Sequence, residues 1–180
     1  RGTNPAAVGN GRTLMFDMFY PDRYIASTYV IDFEKLYEEG YRGLIFDIDN
    51  TLVPHGAPAD NRAIALFDRL RKIGFRSCLI SNNQEPRVKM FNQDIQTDYV
   101  YNAHKPSTKN YIKAMEIMGT DRSNTLFIGD QLFTDVWGAK RAGIHNILVK
   151  PIHPKEEIQI VLKRYLEKIV LFFYRRSLMR

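Results

Sequence analysis

Short apolar runs recur along the chain, and between them apolar residues return every third or fourth position. Leu44, Ile45 and Phe46 form the first run and read as a buried strand. Cys78–Leu79–Ile80, Tyr99–Val100–Tyr101, the stretch from Thr125 to Ile128, and Ile147–Leu148–Val149 read as four more. The intervening stretches carry helix signals. Asp32 caps a short helix ending near Gly40, and Asp60 opens one with Ile64, Leu66, Phe67 and Leu70 on one side, ending near Gly74. Another helix lies between Asn83 and the third strand. Ser107 is expected to cap a helix bearing Tyr111, Ile112, Met115 and Met118 and closed by Gly119; one more runs from about Thr134 to Arg141, closed by Gly143. Apolar strands alternating with helices predict an α/β fold, a three-layer sandwich around a mostly parallel five-stranded sheet.

Composition adds limits to this picture. In 180 residues, 44% are hydrophobic and 26% charged, which suits one globular core and excludes a disordered or collagen-like chain. Cys78 is the only cysteine, so neither an internal disulfide framework nor a Cys-rich zinc site can form. The apolar run at 169–174 is far shorter than the roughly 20 residues a spanning helix needs. The net charge of +6 is concentrated at the end of the chain, where residues 160–180 hold six Lys and Arg against Glu167. With the body near neutral, a diffuse nucleic-acid-binding face is not expected, whereas a local basic tail is. Residues 1–14 are polar, Gly-rich and aperiodic; they are read as a disordered or foreign leader, with Met15 as the natural start. The expected organisation is therefore a core over 15–150 and a basic amphipathic helix over 151–180.

Strand ends carry the chemistry. In parallel sheets, ligands bind beyond the carboxyl ends of the strands. The first run leads into Asp47-Ile48-Asp49-Asn50-Thr51, the second into Ser81-Asn82-Asn83, the third into His104-Lys105, and the fourth into Gly129-Asp130 with Asp135 five residues on. Each alone reads as a polar turn. Together they bring an acid pair, a hydroxyl, a lysine and a second acid pair to one end of the sheet. Four carboxylates (Asp47, Asp49, Asp130 and Asp135) around one point resist joint ionisation and need a cation. An all-oxygen donor set favours Mg²⁺, and Ser81 and Lys105 then offer a hydroxyl and a positive charge to a phosphoryl group.

These four motifs, in this order, resemble those of the haloacid dehalogenase (HAD) superfamily of phosphotransferases. The resemblance implies that Asp47 is the nucleophile, forming an aspartyl-phosphate, and that Asp49 serves as general acid and then general base. It implies that Thr51, Ser81 and Asn82 hold phosphate, and that Lys105 orients Asp47. Mg²⁺ would be held by Asp47, the Asp49 carbonyl, Asp130 and Asp135. Asn50 stands where many members carry Gly, and Asn tolerates a left-handed backbone.

Substrate choice in that superfamily depends on cap insertions, and the gaps between Leu52 and Cys78 and between Asn83 and Lys105 are too short for one. An open site, closed at most by the loop 53–59, is expected, and it suits a substrate whose bulk lies outside. His55 and His104 are candidate substrate contacts; Trp137 reads as packing. Beyond Pro154, the residues Ile158, Val161, Leu162, Tyr165, Leu166, Ile169, Phe172 and Phe173 form a helical stripe. Packing of that stripe on the sheet is one reading. The other is an interfacial helix, since Val170 and Leu171 widen the apolar surface and Arg175, Arg176 and Arg180 border it. The aromatic opening (Phe16, Phe19, Tyr20, then Pro21-Asp22) either covers the core or adds to the same surface.

With the runs DIDNTLVPHGAP, SNN, HKPS and GDQLFTD, the chain further resembles the capless class III phosphatases of the YqeG type, related to the mitochondrial phosphatidylglycerophosphate phosphatase. That resemblance implies removal of the terminal phosphate from phosphatidylglycerophosphate, an anionic phospholipid, at a membrane surface met through the C-terminal helix. No specific nucleic-acid partner is expected, and no protein partner is identified. The expected location is the cytoplasm, peripheral to the inner membrane face, or an organelle's matrix face in a eukaryote. Alternatives are a phosphatase for a soluble or nucleic-acid monoester, and a HAD-fold partner-binding protein.

Overall fold

A computed structural model describes residues 16–153 and 158–177; side chains are described for 16–153 and 164–177. The leader expected over 1–14 lies outside the described residues. Six strands form one sheet: β1 (Arg23–Ile25), β2 (Gly43–Phe46), β3 (Arg76–Ile80), β4 (Asp98–Val100), β5 (Thr125–Gly129) and β6 (His145–Val149). Their spatial order is β1-β6-β5-β2-β3-β4, and every pairing is parallel.

The sheet thus has six strands where five were expected. The additional strand, β1, is three residues long and begins with an exposed arginine, so it offers no apolar run. Its place depends on Asp22, whose carboxylate accepts from the backbone N–H and the side-chain amide of Asn146, both at 2.9 Å.

Pleating divides the core. Leu44 and Phe46 of β2 face a layer built from α1 (Phe33–Glu38), α2 (Asn61–Ile73) and α3 (Glu85–Ile95). Ile45 points the other way, to α4 (Lys109–Met118) and α5 (Trp137–Ala142). Asp32 and Asp60 cap their helices through the N–H groups of Lys35 and Ala63. Ser107 does not cap α4: Thr108 takes the cap position and no side chain bonds there, while the Ser107 N–H turns back to the His104 carbonyl. The helix expected from Thr134 is in fact a π-helical turn, Leu132–Val136, followed by α5. That wider turn lets Asp135 reach back to the strand end.

The last helix, α6 (Ile158–Ser177), packs beside this turn and the β6 flank. Its inward residues are Val170, buried with Leu132, Val136 and Leu148, and Glu167, which accepts the Leu132 N–H at 3.0 Å. The sequence stripe points elsewhere: Tyr165, Leu166, Ile169, Phe172 and Phe173 are all exposed. Ile158, Val161 and Leu162 lie among the side chains not described. Phe16 stacks on Phe173 and Tyr20 lies against Tyr174, so the aromatic opening covers one flank of α6. Trp137 packs edge-on against Phe19.

Candidate active site

The chain leaves β2 toward β3 on one side and reaches β5 on the other, so a topological switch point lies at the β2–β5 boundary. Asp47 emerges there from β2 and Asp130 from β5. Asn50 takes the left-handed conformation (φ 63°), which turns the chain tightly enough for its N–H to bond the Val53 carbonyl at 2.7 Å. Two residues from the amino-terminal segment brace this loop: the hydroxyl of Thr28 donates to the Thr51 carbonyl, and that of Tyr29 to the Leu52 carbonyl.

At the centre, the Lys105 ammonium donates to Asp47 Oδ1 at 2.6 Å and to Asp135 Oδ1 at 2.7 Å. All three residues are buried. Burial opposes the ammonium, but the carboxylates of Asp135 and Asp47 outweigh it and hold the Lys105 pKa above its ordinary value. Burial pushes the Asp47 carboxyl well above its ordinary range; Lys105 opposes this, and Asp135 and Asp130 add to it. Asp130 rises to about 7, first through burial and then through Asp135, against the pull of Arg164.

Asp135 spends both oxygens on fixed partners. Oδ1 holds Lys105, and Oδ2 accepts the N–H groups of Asp130 and Gln131 at 3.1 and 3.0 Å. Gly129 makes this approach possible, because a Cβ there would stand 2.5 Å from Asp135 Oδ2. Thr51 Oγ1 donates to Asp130 Oδ1 at 3.3 Å. Ser81 is buried at the end of β3, its hydroxyl accepting the Asn83 N–H. The side-chain Oδ1 of Asn82 accepts the Lys105 backbone N–H at 2.7 Å, which ties the β3 and β4 loops together.

Ligand oxygens of Asp47, Asp130 and Asp135 lie within 4.8 Å of one another. Three buried carboxylates there meet two cations, Lys105 and Arg164, so the donor set fits a further cation with oxygen preference. The expectation of four converging carboxylates is corrected: the Asp49 side chain turns away. Its Oδ1 accepts from the Gly56 N–H and from Arg87, both at 2.8 Å, and its Oδ2 accepts from Asn83 at 2.6 Å. These contacts hold the Asp49 side chain outside the cluster, leaving only its backbone available there.

His55 is exposed, with Nδ1 3.9 Å from Asp49 Oδ1, so it borders the site through Asp49. His104 is also exposed and lies on the outer side of the β4 loop, beside Tyr101 and Ser107. Three residues at the site were not singled out in the sequence. Arg87 sits on α3 within an ordinary amphipathic pattern, and Arg164 on α6 within a basic tail, so neither had a distinguishing signal. Asn83 adjoins the Ser81-Asn82 pair and belonged to the same polar turn.

Comparison with known proteins agrees with this geometry. A family model described as HAD-hydrolase-like matches residues 102–151. The chain is 36% identical over 160 residues to the Bacillus subtilis protein named "Probable phosphatase YqeG", covering 88% of this chain and 93% of that one. The chain belongs to the HAD-like hydrolases. A second relative, named phosphatidylglycerophosphate phosphatase 1, chloroplastic/mitochondrial, of Arabidopsis thaliana, is 26% identical over 158 residues; these are 77% of this chain but 45% of that protein. The crystal structure of a HAD-superfamily hydrolase from Ehrlichia chaffeensis superposes with a TM-score of 0.51 at 14% identity, covering 71% of this chain and 97% of that one, a likeness of fold alone. The candidate site of this HAD-type phosphatase lies at the carboxyl edge of β2, β3, β4 and β5.

Proposed function

We propose that this HAD phosphatase is a Mg²⁺-dependent phosphomonoesterase that works through an aspartyl-phosphate and removes the terminal phosphate of phosphatidylglycerophosphate. The observation that supports the chemistry best is the buried Lys105 bridge to Asp47, with Asp49 two residues on and held by Arg87 and Asn83. An Asp47 carboxylate oxygen attacks phosphorus, the bond from phosphorus to the ester oxygen breaks, and Asp49 gives that oxygen a proton. A water then attacks phosphorus and yields its proton to Asp49. The bond from phosphorus to Asp47 breaks, releasing phosphate and restoring the Asp47 carboxylate, while Asp49 is again the protonated acid that the next cycle needs. Ser81, Thr51 and Asn82 hold phosphoryl oxygens, and Lys105 offsets their charge. Asp47, Asp130, Asp135 and the Asp49 carbonyl would hold Mg²⁺, which would supply positive charge to the cluster and the phosphoryl group.

Three observations favour a phospholipid. The Arabidopsis relative is named for that activity. The described residues add no cap over the site. The exposed aromatic and aliphatic residues of α6, bordered by Lys168, Arg175 and Arg176, suit an anionic membrane surface. No helix among the described residues is long and apolar enough to cross a membrane, so contact through α6 would be peripheral. The test is phosphate release from liposomes containing phosphatidylglycerophosphate. Mg²⁺-dependent release is expected, stopped by chelation. An enzyme that hydrolyses aryl phosphate but leaves the lipid intact would contradict the substrate assignment.

A further inference from the structure

Two of the three clustered carboxylates, Asp130 and Asp135, belong to the stretch that leaves β5 and forms the π-helical turn. Helix α6 grips that stretch at three points. Arg164 Nη2 lies 2.7 Å from Asp130 Oδ2, and the Asp130 side chain is fully buried at this contact. Glu167 Oε1 accepts the Leu132 N–H at 3.0 Å. Val170 packs with Leu132 and Val136. The three residues stand three apart, so they share one side of the helix.

The Asp130 carboxylate is thereby held at both oxygens, Oδ2 by Arg164 and Oδ1 by the Thr51 hydroxyl at 3.3 Å. These partners come from different elements, α6 and the loop after β2, so they fix the carboxylate between them. An ionised carboxylate offers about four acceptor positions, and two bonds leave it able to meet a cation. Asp135 has less to give, because Lys105 and two backbone N–H groups already occupy its oxygens. The orientation of Asp130 therefore matters more to a metal at the cluster.

We infer that Arg164 is a positioning residue for the metal, acting through Asp130, and that α6 is a working part of the Mg²⁺ site. This inference rests on the Mg²⁺ reading above and deepens it, because it names a residue outside the sheet that sets the affinity. Groups that hydrogen-bond a ligating carboxylate keep it oriented, and losing one typically weakens metal binding about 10- to 100-fold. A cation that only offset charge would have the opposite effect: it would compete with Mg²⁺, and its removal would tighten binding. The sign of the change separates the two roles. The helix that turns Leu166, Ile169 and Phe172 outward thus reaches the metal site with its other side.

The test follows the melting temperature of the full chain as Mg²⁺ is added at pH 8 without substrate, which reports binding to the folded state. Turnover of an aryl phosphate against Mg²⁺ concentration is the second readout. Arg164→Gln should need about 10-fold more Mg²⁺ or beyond for the same rise, and saturating Mg²⁺ should restore most of its turnover. Arg164→Lys, which keeps the charge but not the planar fork, should need about 3-fold more. Lys168→Gln removes an exposed charge from the same helix and should shift the requirement by less than about 2-fold. Wild-type or tighter Mg²⁺ binding by folded Arg164→Gln would overturn the positioning role. Should that variant not fold, wild-type binding by Arg164→Lys would overturn it. An equal loss in Lys168→Gln would do so too, because the effect would then belong to α6 as a whole. A wild type that does not respond to Mg²⁺ in either readout would instead sink the Mg²⁺ reading, and this inference with it.

Discussion

The guanidinium of Arg87 lies 2.8 Å from Asp49 Oδ1, and it comes from a different layer of the fold, helix α3. Together with the Asn83 amide and the Gly56 N–H, it fixes the carboxylate two residues after Asp47. Arg87 is thereby a positioning residue for proton transfer.

Arg87→Gln should slow turnover of an alkyl phosphate by about 10- to 100-fold, the value of a hydrogen bond to a charged group. An aryl phosphate, whose leaving group needs little protonation, should suffer much less. Steady-state kinetics on both esters checks this, and an equal loss on both would mean that Arg87 acts only through the structure.

Asp135 anchors Lys105 and the loop after β5, with its carboxylate fully buried. In Asp135→Asn, an amide N–H₂ or a bare oxygen must face the ammonium, and the buried ion pair is broken. Stability should fall by about 3 kcal/mol. Urea denaturation measures it; a change under about 0.5 kcal/mol, the range of ordinary surface substitutions, would show that Asp47 alone suffices to hold Lys105.

Much of this site was legible in the sequence because each motif follows an apolar strand directly. The runs ending at Phe46, Ile80 and Gly129 fix where Asp47, Ser81 and Asp130 emerge, and parallel pairing does the rest. What depends on helix rotation was not legible. Arg87 and Arg164 meet carboxylates 38 and 34 residues away, and only the docking angles of α3 and α6 decide that. Of the two readings of the α6 stripe, packing on the sheet fails over the described residues for a related reason. Glu167 finds a buried backbone N–H, so a charged residue points in and the aromatic residues point out. Strand β1 was missed because its three residues make no apolar run; parallel pairing to β6 and the side-chain bonds between Asp22 and Asn146 hold it at the edge.

Stability should depend on pH through Asp130. Its folded-state pKa of about 7 stands above the ordinary 3.8, so the folded protein keeps a proton that the unfolded chain releases. Between those values the folded state binds more protons, and metal-free stability from this group falls as pH rises, levelling above about 7. Thermal melts in chelator from pH 5 to 8 should show that fall, and Asp130→Asn should flatten it. Added Mg²⁺ should raise the melting temperature more at pH 8 than at pH 5. A variant profile identical to the wild type's would contradict the assignment.

Cys78 lies fully buried on β3, and burial pushes its thiol up to about 12. Only the thiolate reacts appreciably, so the native protein should resist a thiol reagent at pH 8 and react fully in denaturant. Fast labelling of the native state would show that the layer between β3 and α4 opens readily.

The central claim is that Asp47 becomes phosphorylated during turnover. Rapid acid quenching with substrate and Mg²⁺, followed by peptide mapping, tests it most directly. A phosphorylated peptide containing Asp47, absent from the unreacted enzyme and from Asp47→Asn, is the expected result, with phosphate release lost in the variant. Phosphate release by Asp47→Asn at the wild-type rate, with no modified peptide in either protein, would contradict the account.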